Sequence, residues 1–153
     1  MPNLQNIKLI GTGIGENLGE LAGSFKNANI KSIELPYNGI MKNYLTTYFK
    51  YMFNFENLIE LNLSSNWFGT DGLFEMKDEF IRFQKLKILK LGTNKLCFGA
   101  PGEEINAKKF AEILLSFKDI EELDIQENSI NDFKFDFVIP SLVKFHNLKS
   151  LNL

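Results

Sequence analysis

Short bursts of alternating apolar and polar residues recur along the chain at a nearly fixed interval. In LIELNLSSNWF (58–68) the apolar residues stand at Leu58, Leu61 and Leu63, an asparagine follows at Asn66, and a bulky apolar residue closes the unit at Phe68. The template fits three more stretches: Ile30, Ile33, Leu35, Asn38 and Ile40; Leu86, Leu89, Leu91, Asn94 and Leu96; and Ile120, Leu123, Ile125, Asn128 and Ile130. A weaker copy at Leu4, Ile7, Leu9, Thr12 and Ile14 has threonine in the asparagine slot, and LKSLNL begins a sixth. The copies start at 4, 30, 58, 86, 120 and 148. Self-similarity at this spacing marks a solenoid.

Within a copy, Leu61, Asn62 and Leu63 alternate with the period of a half-buried strand. After the closing residue the spacing turns helical. Leu18, Leu21 and Phe25 lie three and four apart, as do Tyr44, Leu45, Tyr48, Phe49, Met52 and Phe53. Phe80 and Phe83 continue the stripe in the third copy, and Phe110, Ile113, Leu114 and Phe117 in the fourth. Such a stripe packs one helix face on the strand layer. Each copy is therefore one strand and one helix, with a core closed by its neighbours. Helices are wider than the roughly 4.8 Å strand spacing, so the stack bends with its strands inside.

The pattern predicts an α/β solenoid, a curved horseshoe segment with a parallel inner sheet of about six short strands. One domain spans 1–153, with five copies and the first strand of a sixth. The longer fourth copy carries extra residues at 97–104, where Gly99, Pro101 and Gly102 predict a protruding loop ahead of a helix beginning near Ile105. In the fifth, Phe133, Phe135 and Phe137 alternate with polar residues and Pro140 interrupts a helical run. An extended or 3₁₀ piece is expected there, then a short helix over 140–145 with proline at its first position.

Units of the form L-x-x-L-x-L-x-x-N-x-L followed by a full helix resemble the leucine-rich repeats, and the period with that helix is similar to the ribonuclease-inhibitor-like subclass. The resemblance covers essentially the whole chain and departs at Thr12 and in the long fourth copy. It implies an intracellular horseshoe that binds proteins on its concave sheet; nuclease inhibitors, innate-immune sensors and activators of Ran-type GTPases share this form.

Composition narrows the chemistry. The formal net charge is −2 and Arg82 is the one arginine, so no basic stripe exists to neutralise a nucleic-acid backbone. No apolar run approaches the roughly 20 residues of a membrane span, and the N-terminus lacks the pattern of a secretion signal. A single cysteine, Cys97, forms no internal disulfide, which favours an intracellular, cytoplasmic location. With one histidine, His146, no zinc site or Cys–His pair is expected. The run GTGIGENLG (11–19) has Glu16 where a dinucleotide fingerprint needs glycine, and its glycines serve the turn and close packing. Neither enzyme activity nor a cofactor is expected.

The row Asn38, Asn66, Asn94 and Asn128 invites a ligand-binding reading, but at the sharp turn leaving each strand an amide that satisfies backbone groups is the better one. A structural ladder is predicted. Strand alternation then names the inward-facing slots, whose middle members are Lys8, Glu34, Asn62, Lys90, Asp124 and Asn152. Lys8 with Glu34 and Lys90 with Asp124 form candidate lateral pairs. Glu34, Glu60, Glu122, Asp124 and Glu127 make the surface a mostly acidic trough, with Asn62 and Lys90 within it. Tyr37 and Trp67 stand at the strand exits as interface anchors, Trp67 either beside the trough or wedged between coils.

The expected function is non-catalytic recognition of a protein partner with basic and apolar features. The alternatives are a GTPase regulator resembling the Ran activators and a structural subunit of a large assembly. Because the first and last copies lack polar caps, continuation of the array or a partner over an end is also expected.

Overall fold

The computed structural model describes residues 3–25, 28–51, 55–100 and 104–153, with backbone only at 48–51 and 55. Met52, Phe53, Pro101, Gly102 and Glu103 lie outside the described residues, as do the side chains of Tyr48 and Phe49.

Each copy contributes one three-residue strand: β1 (Asn6–Lys8), β2 (Ser32–Glu34), β3 (Glu60–Asn62), β4 (Ile88–Lys90), β5 (Glu122–Asp124) and β6 (Ser150–Asn152). They form one parallel six-stranded sheet in sequential order. The register is unbroken: Ile7, Ile33, Leu61, Leu89, Leu123 and Leu151 face one another across it. A slip of one residue in any copy sends its apolar row to the opposite face.

Between strands run α1 (Leu18–Ser24), α2 (Lys42–Tyr51), α3 (Gly69–Glu75), α4 (Ile105–Leu114) and α5 (Asp132–Leu142). Their apolar stripes meet the strand leucines in one core. Ile33, Leu35, Leu61, Leu63, Leu123 and Ile125 form its inner wall, and Leu18, Leu45, Leu73, Phe110 and Val138 its outer wall, all at most 1% exposed. Burying one such side chain is worth about 1.5–3 kcal/mol. In the third copy the helical spacing resolves into two pieces, α3 and a 3₁₀ turn at Lys77–Arg82. That turn delivers Phe80 to a ring cluster 5.7 Å from Phe83 and 5.0 Å from Phe117.

The fifth copy overturns the expectation drawn from Pro140. One helix runs from Asp132 to Leu142 with the proline inside it. Asn131 caps it by accepting from the Lys134 N–H at 3.0 Å, and the buried row is Lys134, Val138, Ser141 and Leu142, a helical stripe offset from the phenylalanines that suggested alternation. Phe133 and Phe137, one turn apart, pack edge to face at 5.5 Å. Pro140 is exposed and only two residues from the helix end. The carbonyl left without its intrahelical donor belongs to Asp136, an exposed residue at the surface of the helix.

Candidate functional site: the strand face and its rim

The asparagine row positions everything at the strand exits. Asn38, Asn66, Asn94 and Asn128 are at most 2% exposed. The Asn66 amide donates to the carbonyls of Leu35 (2.9 Å), Leu63 (2.9 Å) and Ser64 (3.2 Å), and its oxygen accepts from the N–H groups of Asn38 (3.1 Å) and Ile40 (3.0 Å). Asn94 repeats the carbonyl contacts one copy on, and its oxygen accepts from the Asn66 N–H at 3.0 Å. Asn128 does the same for Asn94 and Leu96. Each amide thus spans its own turn and the preceding one, and its donors are spent on backbone carbonyls.

The residue before each rung adopts a left-handed backbone: Gly11 (φ 60°), Tyr37 (59°), Ser65 (55°), Thr93 (56°) and Glu127 (53°). For a non-glycine this costs about 1–2 kcal/mol, which the rung bonds offset. The left-handed turn lies beyond each three-residue strand, and the interstrand ladder runs on to it, the Tyr37 N–H donating to the Ser64 carbonyl at 3.2 Å and the Ser65 N–H to the Gly92 carbonyl at 2.8 Å. The turn points Tyr37 outward, 66% exposed at the sheet's exit edge.

In the 11–19 run, the N–H groups of Thr12 and Ile14 donate to the Asn38 side-chain oxygen, at 3.0 and 3.5 Å, and that of Gly15 to the Asn38 carbonyl at 3.1 Å. A side chain at Gly15 would meet the Gly39 carbonyl oxygen at 2.8 Å. These glycines serve turn and packing, and the N–H groups of Gly11, Thr12, Ile14 and Gly15 are already engaged.

On the strand face, Lys8 pairs with Glu34 at 3.0 Å. Lys90 does not pair laterally with Asp124; it reaches diagonally to Glu122 (3.2 Å) and Glu60 (3.9 Å). A long side chain spans the diagonal neighbour of a parallel ladder as easily as the opposite one. Asp124 accepts instead from the Gln126 N–H at 3.1 Å, and Asn62 makes the equivalent bond to the Ser64 N–H at 3.0 Å. Glu127 accepts from the Thr93 hydroxyl at 3.1 Å, and Ser32 donates to Glu60 at 3.0 Å. The expected residues Glu34, Glu60, Asn62, Lys90, Glu122 and Asp124 therefore share one face, with five carboxylates against two amines once Glu127 and Lys8 are included. At its entry edge Glu121 lies between Lys87 (2.5 Å) and Lys149 (2.6 Å), which hold its carboxyl down from 4.5 to about 2.

Trp67 departs from this group. It is not wedged between coils: the residue is 62% exposed, with the Lys95 amine 4.6 Å from the ring centroid. The chain has left the sheet by this point, so the indole lines a groove with Met41, Lys42, Asn43, Thr46, Glu75 and Lys95, on the side of α2 and α3.

Lys134 escaped the sequence analysis. It is 3% exposed, and its amine donates to the carbonyls of Cys97 (2.6 Å) and Gly99 (3.4 Å). The base of the long fourth-copy loop is anchored by α5 in this way, with the Cys97 N–H donating to the Thr70 hydroxyl at 3.0 Å. The only signal was the helical offset of the fifth copy. Burial pushes the Cys97 thiol up to about 12, and His146 lies exposed beyond α5.

Among the described residues, no group of three His, Cys, Asp or Glu side chains is placed to hold a metal ion, and no helix is long and apolar enough to cross a membrane. Neither a family model nor a curated protein matches the chain. Among solved structures, actin-binding site 2 of leiomodin-1 is similar, with a TM-score of 0.71 at 14% identity over 94% of this chain and 82% of that one. The tropomodulin C-terminal domain from Caenorhabditis elegans gives 0.67 at 13% identity, over 94% of this chain and 84% of its own. At these identities the likeness is one of fold, and with copies in register along a parallel sheet the fold is of the leucine-rich-repeat type.

Proposed function

We propose that this protein is a non-catalytic, intracellular recognition domain, a curved horseshoe solenoid of the ribonuclease-inhibitor-like subclass formed by the whole chain. Its strand face binds a protein segment bearing basic and apolar side chains. The observation that carries this reading is the charge balance of that face, together with the partial exposure of its charged groups: 23% for Glu34, 24% for Glu60, 29% for Lys90 and 41% for Glu122. Ion pairs this exposed contribute only about 0–1 kcal/mol each to stability. Their carboxylates are available to exchange internal partners for those of another chain.

The experiment is affinity capture with mass spectrometry, comparing the native protein with Glu122→Gln/Asp124→Asn. Asparagine retains the acceptor at 124, since Asn62 makes the same turn bond two strands away. Capture of a partner by the native chain and its loss with the variant is the expected result. Equal capture by both removes the acidic end from the site.

A second reading takes actin as the partner, favoured by the fold likeness to actin-binding site 2 of leiomodin-1. Co-sedimentation with actin filaments and titration of monomeric actin test it, and no saturable association with either form sinks it.

A further inference from the structure

A second surface lies at the rim, where the chain leaves the sheet after Asn66. The Trp67 N–H donates to the Ile40 carbonyl at 3.1 Å, and Trp67 forms a one-residue parallel bridge with Met41. Two large apolar side chains from consecutive copies are thereby set next to each other, 49% exposed at Met41 and 62% at Trp67. The groove they line encloses about 580 Å³, within the roughly 300–1,000 Å³ typical of ligand clefts. Exposed tryptophan and methionine in one concavity are what interface centres are made of, because they bury much area.

The charges of the groove select its occupant. Lys42 is already paired with Glu75 at 2.6 Å. Lys95 has the Trp67 ring as its contact and no carboxylate partner among the described residues. Its backbone is left-handed (φ 58°), which sets the direction in which the side chain leaves the turn toward the indole. The groove thus carries one uncompensated positive charge on a chain whose formal net charge is −2. Covering the indole strips water from Lys95 as well, and a desolvated amine is costly unless it is paired. A purely apolar or a basic segment leaves that charge stranded.

We propose that this groove docks an acidic-apolar segment of a partner protein: an apolar side chain seats between Met41 and Trp67, and a carboxylate close by in sequence meets Lys95. Its preference is opposite in charge to that of the strand face, and it does not depend on that face being a binding site.

Trp67 is the sole tryptophan of the chain, so its emission reports occupancy directly. A random-peptide display library is selected on the native chain of 153 residues. Enriched tryptophan-free peptides are then synthesised and titrated, following Trp67 emission and the Met41 methyl resonance. Enrichment of acidic-apolar sequences is expected, with both signals saturating together. Lys95→Asn, which tolerates the left-handed backbone, weakens binding roughly tenfold, the loss typical of one charge-assisted contact. Met41→Ala weakens it as well, whereas Glu122→Gln leaves it unchanged. Circular dichroism confirms that each variant is folded. Failure to enrich such sequences overturns the proposal, as do peptides that leave both signals still or bind Lys95→Asn undiminished. Peptides sensitive only to Glu122→Gln overturn it too, while supporting recognition by the strand face; loss of the strand-face reading alone leaves the rim result standing.

Discussion

Replacing Asn66 with alanine removes one rung of the ladder, and the cost follows from the bonds it makes. Five are lost, but not all of their partners are stranded. The Leu63 carbonyl keeps the Asn94 amide at 2.9 Å, and the Ser64 carbonyl keeps the Tyr37 N–H at 3.2 Å. The N–H groups of Asn38 and Ile40 and the carbonyl of Leu35 are left with no other acceptor or donor in place, at residues no more than 2% exposed. Each such group costs about 1–3 kcal/mol. The space vacated by the amide admits a water, so the low end applies and the total is about 3–5 kcal/mol. Against a stability of order 5–15 kcal/mol for a domain, this is a large fraction. At roughly 2–4 °C per kcal/mol, it lowers Tm by about 6–20 °C. Urea unfolding followed by circular dichroism measures it, with Asn62→Ala as the control: that side chain makes a single bond in its own turn and is expected to cost about 1 kcal/mol or less. If Asn66→Ala unfolds at the same midpoint as Asn62→Ala, the rungs do not carry the stability assigned to them. A folded Asn66→Ala chain that loses partner binding outright contradicts the purely structural role.

Pro140→Ala restores an N–H to α5 at an exposed position, and a gain of about 1–2 kcal/mol in urea unfolding is expected after subtracting the entropy proline removes from the unfolded chain; a loss of stability shows that the ring is packed. The Glu121 carboxyl titrates near 2, held down by Lys149 and Lys87. Because its folded value is depressed, its contribution to stability is present above the ordinary 4.5 and is lost as pH falls toward 2. Carboxyl-detected NMR on Lys87→Ala/Lys149→Ala finds the midpoint back near the ordinary range, and an unmoved midpoint refutes the assignment. Cys97, buried and raised to about 12, reacts with a thiol reagent only as fast as the chain opens; native-state labelling at the rate of a free thiol contradicts its burial.

Where each strand runs, which residues it buries and where α4 begins were legible because these depend on short-range periodicity. Ile7, Ile33, Leu61, Leu89 and Leu123 occupy the same slot of successive copies, and each is buried for the same reason. The asparagine slot was legible too, since the same unmet backbone groups recur at every turn. The left-handed column was hidden: only Gly11 announces it, whereas Tyr37, Ser65, Thr93 and Glu127 are driven into that conformation by the bonds of the rung beside them. In the fifth copy a run of phenylalanines imitated strand alternation, and only packing against α4 showed that the buried row runs through Lys134, Val138 and Leu142.

The chain's own pattern determined the period, the strand register and the identity of the inward residues, because burial repeats along one dimension. Tertiary structure alone decided that Lys90 reaches Glu60 and Glu122, that Lys134 anchors a loop from the preceding copy, and that Trp67 shares a groove with Met41 and Lys95. Those contacts join residues of different coils. Their partners are set by reach and direction in space, which the spacing along a sequence does not record.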